Sequence, residues 1–351
     1  MSRSIVHLLD LPNEVLLIIL RQLNNIDVLY SLLDINNGRL DILAREKTFT
    51  NILNFVPVFM KRILLATVYP NLTELKLFNF EQQIVLKYFT DESSLRSVFQ
   101  QQITNLILVN NDKSEKGRNR IIDGTCVQND ILVYLSQLHS FAFYISTYID
   151  IRDLSREDIQ QTLINIGQQD ATSIVSYIST YTVACSIFSL PFAFDYLVDL
   201  GNIFSNIVFS YVTYLVVQDN DAFRYEFFVR IARSFPLLKY FRIFNIESQL
   251  LADLLTLSTD HSQSYSMVEY SYLTSLDVAY SHKDYLEQFL NETKAYVPCL
   301  TELRVCHRYL KIVTENFTRE ATRCNCAKVN QLIIIQLLDN SEDHSHYFPS
   351  L

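Results

Sequence analysis

LLDLPNEVLLIILRQLNNIDVLYSLLDINNGRLDIL, Leu8 to Leu43, reads as helical from its first turn. Pro12 suits the start of a helix, because its ring fixes φ and its missing N–H costs nothing there. Asp10 can accept from unpaired helix amides, and Glu14 suits the positive end of the helix. Six apolar residues then run without a break, Val15 to Leu20. Leu16, Ile19, Leu20 and Leu23 share one face at i, i+3, i+4, i+7 spacing, and Val15 and Ile18 lie off it. A helix that is apolar nearly all round must be covered on more than one side. The run is far shorter than the ~20 residues a bilayer needs. One side therefore belongs to the chain's own core and the other to a second surface. The alternative is an ordinary amphipathic helical hairpin.

These residues resemble the F-box, a three-helix module whose pattern opens Leu-Pro-x-Glu with an aliphatic pair. It continues with Ile-Leu and a Leu, then a polar turn and Asp-Val-Leu. Leu11, Pro12, Glu14, Val15, Ile19, Leu20, Leu23, Asp27, Val28 and Leu29 fall on it in register. The match weakens after Leu33, where DINNGRLDILA follows, and the chain has no Trp where many F-boxes carry one. A third helix over Asn37 to Phe49 would be packed by Leu40, Leu43 and Phe49 instead. The resemblance implies docking on a Skp-type adaptor and its cullin scaffold. Leu11, Pro12, Glu14, Val15, Ile19, Leu20, Leu23, Val28 and Leu29 would make the adaptor contact.

The next signal is periodic. YPNL (Tyr69–Leu72), FPLL (Phe235–Leu238), VPCL (Val297–Leu300) and FPSL (Phe348–Leu351) repeat one proline context. LTELKL, LKYFRI and LTELRV follow from Leu72, Leu238 and Leu300, all fitting L-x-x-L-x-L. The pattern recurs from Ile103, Leu138, Val212, Leu273 and Val329, at steps of roughly 30 residues with one about twice as long. A degenerate strand over Thr182 to Leu190 is expected inside the long step. L-x-x-L-x-L with an Asn eight residues after its first position, as at Asn111 and Asn220, resembles the leucine-rich repeat. Asn79 and Asn245 miss that position by one. The resemblance implies short parallel strands with return helices, stacked because one unit cannot bury its own apolar face. The alternative is a generic α/β domain with parallel strands.

The expected fold is therefore α/β: a three-helix F-box over residues 5–50, a linker over 51–62 around Pro57, and an irregular leucine-rich-repeat solenoid with one curved parallel sheet over 63–351. Leu75, Leu77, Leu106, Leu108, Phe241, Ile243, Leu276, Val278, Leu303, Val305, Leu332 and Ile334 should point inward. Return helices are expected over Asp195–Ile207, Ala222–Phe235 and Lys283–Tyr296. Surface loops are expected over Asn110–Cys126 and around Gly167–Asp170.

Composition narrows the function. Five glycines in 351 residues argue against phosphate-cradling loops, and neither GxGxxG nor GxxxxGK[ST] occurs. A net charge of −9 without a basic cluster argues against nucleic acid. No run of 18 apolar residues and no signal peptide are visible, so the chain is expected in the cytoplasm or nucleus and not in a membrane. Six cysteines are few for this length and fit reduced thiols. Cys299, Cys306, His307, Cys324, Cys326, His344 and His346 crowd the C-terminal end. Their spacings, adjacent or one apart, are not the C-x₂₋₄-C pairs that zinc prefers, so no metal and no cofactor are expected. No G-x-S-x-G occurs, and adjacent acidic pairs such as Asp91-Glu92 suit solvated loops better than acid–base catalysis.

The 21 tyrosines point instead to an interface. Strand positions between the inward leucines should face the concave side: Glu74, Lys76, Phe78; Asn105, Ile107, Val109; Tyr214, Val216, Gln218; Tyr240, Arg242, Phe244; Ser275, Asp277, Ala279; Glu302, Arg304, Cys306. Tyr240, Arg242, Phe244 and Arg304 are the candidates for substrate contact, because Tyr and Arg dominate hot spots. The sequence thus points to a non-enzymatic receptor that delivers an unknown protein substrate to a ubiquitin ligase. Its alternative is a leucine-rich-repeat scaffold in a complex unrelated to ubiquitin.

Overall fold

The computed structural model describes residues 11–22, 28, 39–40, 43, 52–55, 72–78, 100–111, 121–149, 155–164, 166, 170–249, 267–335 and 347–351. Helix α1 (Asn13–Leu20) starts one residue after Pro12. Its Leu16 packs with Leu40 and Leu43, and Leu20 and Val28 enter the same core as Leu72, Leu75 and Leu77. Val28, Arg39, Leu40 and Leu43 are helical; most of the expected second and third helices, Phe49 included, lies outside the described residues.

Among the described residues, two six-stranded sheets carry the fold, and the chain is of α/β class with parallel strands. The first holds β1 (Ile52–Phe55), β2 (Glu74–Phe78), β3 (Asn105–Asn110), β4 (Ser140–Ile149), β5 (Ala171–Tyr177) and β6 (Val183–Ser189), in the order β1-β2-β3-β4-β6-β5. The second holds β7 (Tyr196–Leu200), β8 (Tyr214–Gln218), β9 (Tyr240–Phe244), β11 (Ser275–Asp277), β13 (Glu302–Cys306) and β14 (Gln331–Ile335), paired in that order and all parallel. β10 (Val268–Glu269) and β12 (Ala295–Tyr296) form a small parallel pair.

The sequence repeat is the sheet register. Leu75 pairs with Leu106 and Leu106 with Phe141; Leu215, Phe241, Leu276, Leu303 and Leu332 pair in succession. Each is the fourth position of its L-x-x-L-x-L. Two local devices hold that register. The N–H of the first position closes a turn onto the carbonyl three residues back, as from Leu238 to Phe235 and from Leu300 to Val297, with Pro236 and Pro298 at the favoured second place. The second position is threonine in five of the eight units. Thr104, Thr274 and Thr301 donate both N–H and Oγ1 to the carbonyl of the equivalent residue one strand earlier. A ladder of polar groups thus satisfies the strand entries.

The expected inward residues are buried from Leu75 to Val305, whereas Leu332 and Ile334 on edge strand β14 are half-buried. Among the described residues, four helices cover the second core or its edges: α4 (Tyr225–Ser234), α5 (Lys283–Leu290), α6 (His307–Val313) and α7 (Arg323–Cys326), after α2 (Gly124–Asp130) and α3 (Arg156–Thr162) on the first. α4 lies where a return helix was expected. The Lys283 helix stops at Leu290, because the Asn291 side chain accepts from Thr293 N–H at 3.0 Å and turns the chain into β12.

Several expectations are corrected. The segment read as a linker opens with strand β1, in register with β2. Asn110–Cys126 is not a loop to its end, since α2 begins at Gly124 and Cys126 is buried; residues 112–120 and 167–169 lie outside the described residues. The hidden strand exists as β6 but runs antiparallel to both β4 and β5. A short turn over 178–182 makes β5–β6 a hairpin, which needs no crossover. Asp195–Ile207 is not a helix: it contains β7. Leu197 and Leu200 mimic helical spacing because a bulge between them, with Asp199 at φ 56°, lets both pair with β8 residues only two apart.

The single curved sheet is also replaced. Leu106, Leu108, Phe141 and Phe143 face the first core, while Val109, Tyr144 and Phe188, on the opposite face, belong to the second. β7 reaches that opposite face: Tyr144 Oη accepts from Val198 N–H at 3.1 Å, Tyr148 donates to Asp199, and Ser176 Oγ accepts from Gly201 N–H at 2.8 Å. The first sheet is therefore covered on both sides around β6, which is buried throughout, and the Phe143–Ile149 part of β4.

Candidate protein-interaction surfaces

Helix α1 buries Leu16 and Leu20 and leaves Val15 39%, Ile18 60% and Ile19 39% exposed. Pro12 and Glu14 are exposed beside them and Leu11 is half-buried. Arg39 holds the entry of the helix, donating to Asn13 Oδ1 at 2.6 Å and to the Leu11 carbonyl. Leu20 and Val28 are committed to the core and are not available to a partner. Leu23 and Leu29 lie outside the described residues. Ile18, the most exposed apolar residue of the helix, was legible only as lying off the predicted buried face.

The second surface is the face of the second sheet opposite its helices. Pairing across β8, β9, β11, β13 and β14 puts Val216, Arg242, Asp277, Arg304 and Ile333 in one row. The row before it carries Tyr214, Tyr240, Ser275 and Glu302. Asp277 is 2% exposed and is the hub of this face. Its Oδ2 lies 3.1 Å from Arg242 Nε and 3.9 Å from Arg304 Nε, and Tyr240 donates to it at 3.4 Å. Its Oδ1 accepts from Ala279 N–H at 3.2 Å. Burial and the Asp277 charge together push the Tyr240 hydroxyl well above its ordinary pKa. Two aromatic pairs flank the charges: Tyr214 stacks on Tyr240 at 4.4 Å, and Phe244 on Tyr280 at 5.9 Å. The Arg242 guanidinium lies 4.3 Å over the Phe244 ring, a cation–π contact. A cavity of about 450 Å³ opens at the strand ends beside Phe244 and Tyr280.

All four candidate substrate residues thus meet in one cluster. Asp277, which organises it, was legible as a concave position but carried no hot-spot signal, since a lone acidic residue in a strand says nothing of its neighbours. The rest of the expected concave set divides. Val216, Ser275, Ala279 and Cys306 are buried. On the first sheet Val109 is buried, and Phe78 and Ile107 are partly buried against the second core. That sheet does not offer an open concave face there.

None of the six cysteines is in a disulfide, and among the described residues no three His, Cys, Asp or Glu side chains are grouped to hold a metal ion. Among the same residues no helix is long and apolar enough to cross a membrane. No protein-family model matches the chain, and no curated protein matches it.

Proposed function

We propose that this chain is the substrate-recognition subunit of a ubiquitin ligase built on a Skp-type adaptor and a cullin scaffold, working in the cytoplasm or nucleus. Its N-terminal helices act as an F-box and its strands as an irregular leucine-rich-repeat domain that selects a protein substrate. The observation that carries this reading is α1: a helix in the Leu-Pro-x-Glu register that buries Leu16 and Leu20 yet presents Val15, Ile18 and Ile19 to the outside. The chain itself does no bond chemistry. It holds a substrate lysine near a charged conjugating enzyme and so raises its effective concentration.

The test is capture of a Skp-type adaptor and cullin by the full chain, compared with Ile18→Asp and with the double variant Leu11→Ala, Pro12→Ala. Adaptor capture is expected for the parent and lost in both variants, with melting temperature held for Ile18→Asp. Undiminished capture by the variants refutes the F-box assignment. An adaptor bound without cullin favours a repeat scaffold outside the ubiquitin pathway.

A further inference from the structure

We infer that the open face of the second sheet binds a carboxylate side chain, Asp or Glu, of a partner protein, with an apolar neighbour of that residue seated against Phe244 and Tyr280. This rests on the receptor reading above and names the substrate class it selects. Arg242 and Arg304 stand on β9 and β13, either side of Asp277 on β11. Two guanidiniums share one carboxylate, so the ion-paired cluster keeps an excess of one positive charge in a protein of net charge −9. Glu302, the neighbouring acid one row away, lies within ion-pair distance of neither arginine.

The hydrogen bonding is incomplete too. Nε of Arg242 and of Arg304 is buried, and neither makes an aligned hydrogen bond. Their contacts with Asp277 run through Nε, which leaves the terminal amino groups of both forks for a second acceptor. Arginine forks suit planar carboxylates in bidentate geometry. One excess charge matches a monoanionic carboxylate, whereas a phosphate near −2 would leave the site over-neutralised. Phe244 bears Arg242 on its face and lines the 450 Å³ cavity with Tyr280, which is 49% exposed, and Ile246, which is 79% exposed, and the acids Asp219 and Glu247 on the same cavity leave the arginines as the place for an anion. An anion at the arginines is therefore separated from an apolar seat by a single ring.

The probe is a random twelve-residue peptide library displayed on phage and selected against the full chain. Selected peptides should be enriched in Asp or Glu with an aliphatic or aromatic residue within about three positions. A synthetic peptide from that set should lose at least tenfold in affinity when its acid is changed to Gln, and as much when the protein carries Arg304→Gln or Arg242→Gln. Circular dichroism should show both variants folded, since each arginine is half-exposed. Asp277→Asn should raise the excess charge and shift preference toward the phosphoserine form of the same peptide. The inference is overturned if selection returns no acidic enrichment, if enrichment persists in the double arginine variant, or if the unaltered protein prefers phosphoserine. Adaptor capture is read on the same preparations: its failure overturns the receptor reading, and absent acidic selection with capture intact overturns this inference alone.

Discussion

Asn325→Leu should be among the most damaging single substitutions in this protein. Asn325 sits between Cys324 and Cys326 and is 3% exposed. Its Nδ2 donates to the carbonyls of Phe289 at 3.0 Å, Leu290 at 3.3 Å and Ala295 at 2.8 Å. Its Oδ1 accepts from Val297 N–H at 3.3 Å. Phe289 and Leu290 end α5, where helix carbonyls lack partners of their own. A glycine C-cap often meets that need; with five glycines here, a side-chain amide meets it instead. Leucine has the same branched skeleton, is somewhat larger and has no polar atom. Two good and two long hydrogen bonds are lost, at about 1 kcal/mol each for the good ones, and buried backbone groups are left unpaired at about 1–3 kcal/mol. The expected loss is about 3–5 kcal/mol. Urea unfolding followed by circular dichroism should show a lower midpoint at unchanged slope, because the surface exposed on unfolding is the same. A loss under about 1 kcal/mol, or a large change of slope, refutes the argument.

Two further predictions concern the interior. Tyr144, Tyr148, Tyr270 and Tyr285 are buried, and burial raises each hydroxyl above its ordinary pKa, with Asp199 adding to the effect at Tyr148. Their stabilisation is complete below the unfolded value near 10 and is lost as pH rises past it. Four such groups give a fall of about 5 kcal/mol per pH unit. A stability profile flat from pH 9 to 11 contradicts this, and Tyr148→Phe should reduce the slope by one proton. Gly124→Ala should cost about 2–3 kcal/mol by overpacking, because a Cβ there runs into the Thr162 carbonyl oxygen; an unchanged melting temperature would show that α2 and α3 separate freely.

Much of the strand pairing was legible because the L-x-x-L-x-L pattern marks the same position in each unit. Leu276 and Leu303 pair because both follow a turn and a threonine that lock the strand entry. The site was half legible: Tyr240, Arg242, Phe244 and Arg304 share a face by alternation, which is a local property. That Asp277 contacts three of them depends on which strand lies between β9 and β13, a fact carried by no single segment.

Local chemistry in the chain therefore determined the helix start at Pro12, the α/β class, the register of the parallel strands and the inward leucines. These rest on interactions within a few residues or on a period repeated along the chain. Only the tertiary structure decided where the parallel series breaks, that β6 runs antiparallel, that β7 is a bulged strand, and that the first sheet is covered on both faces. Alternating apolar residues fit either strand direction, and the i, i+3 spacing of Leu197 and Leu200 fits a helix or a bulge equally well. The choice follows from which apolar faces meet, such as Tyr144 against Phe192 and Tyr196, and that free energy exists only once distant segments have come together.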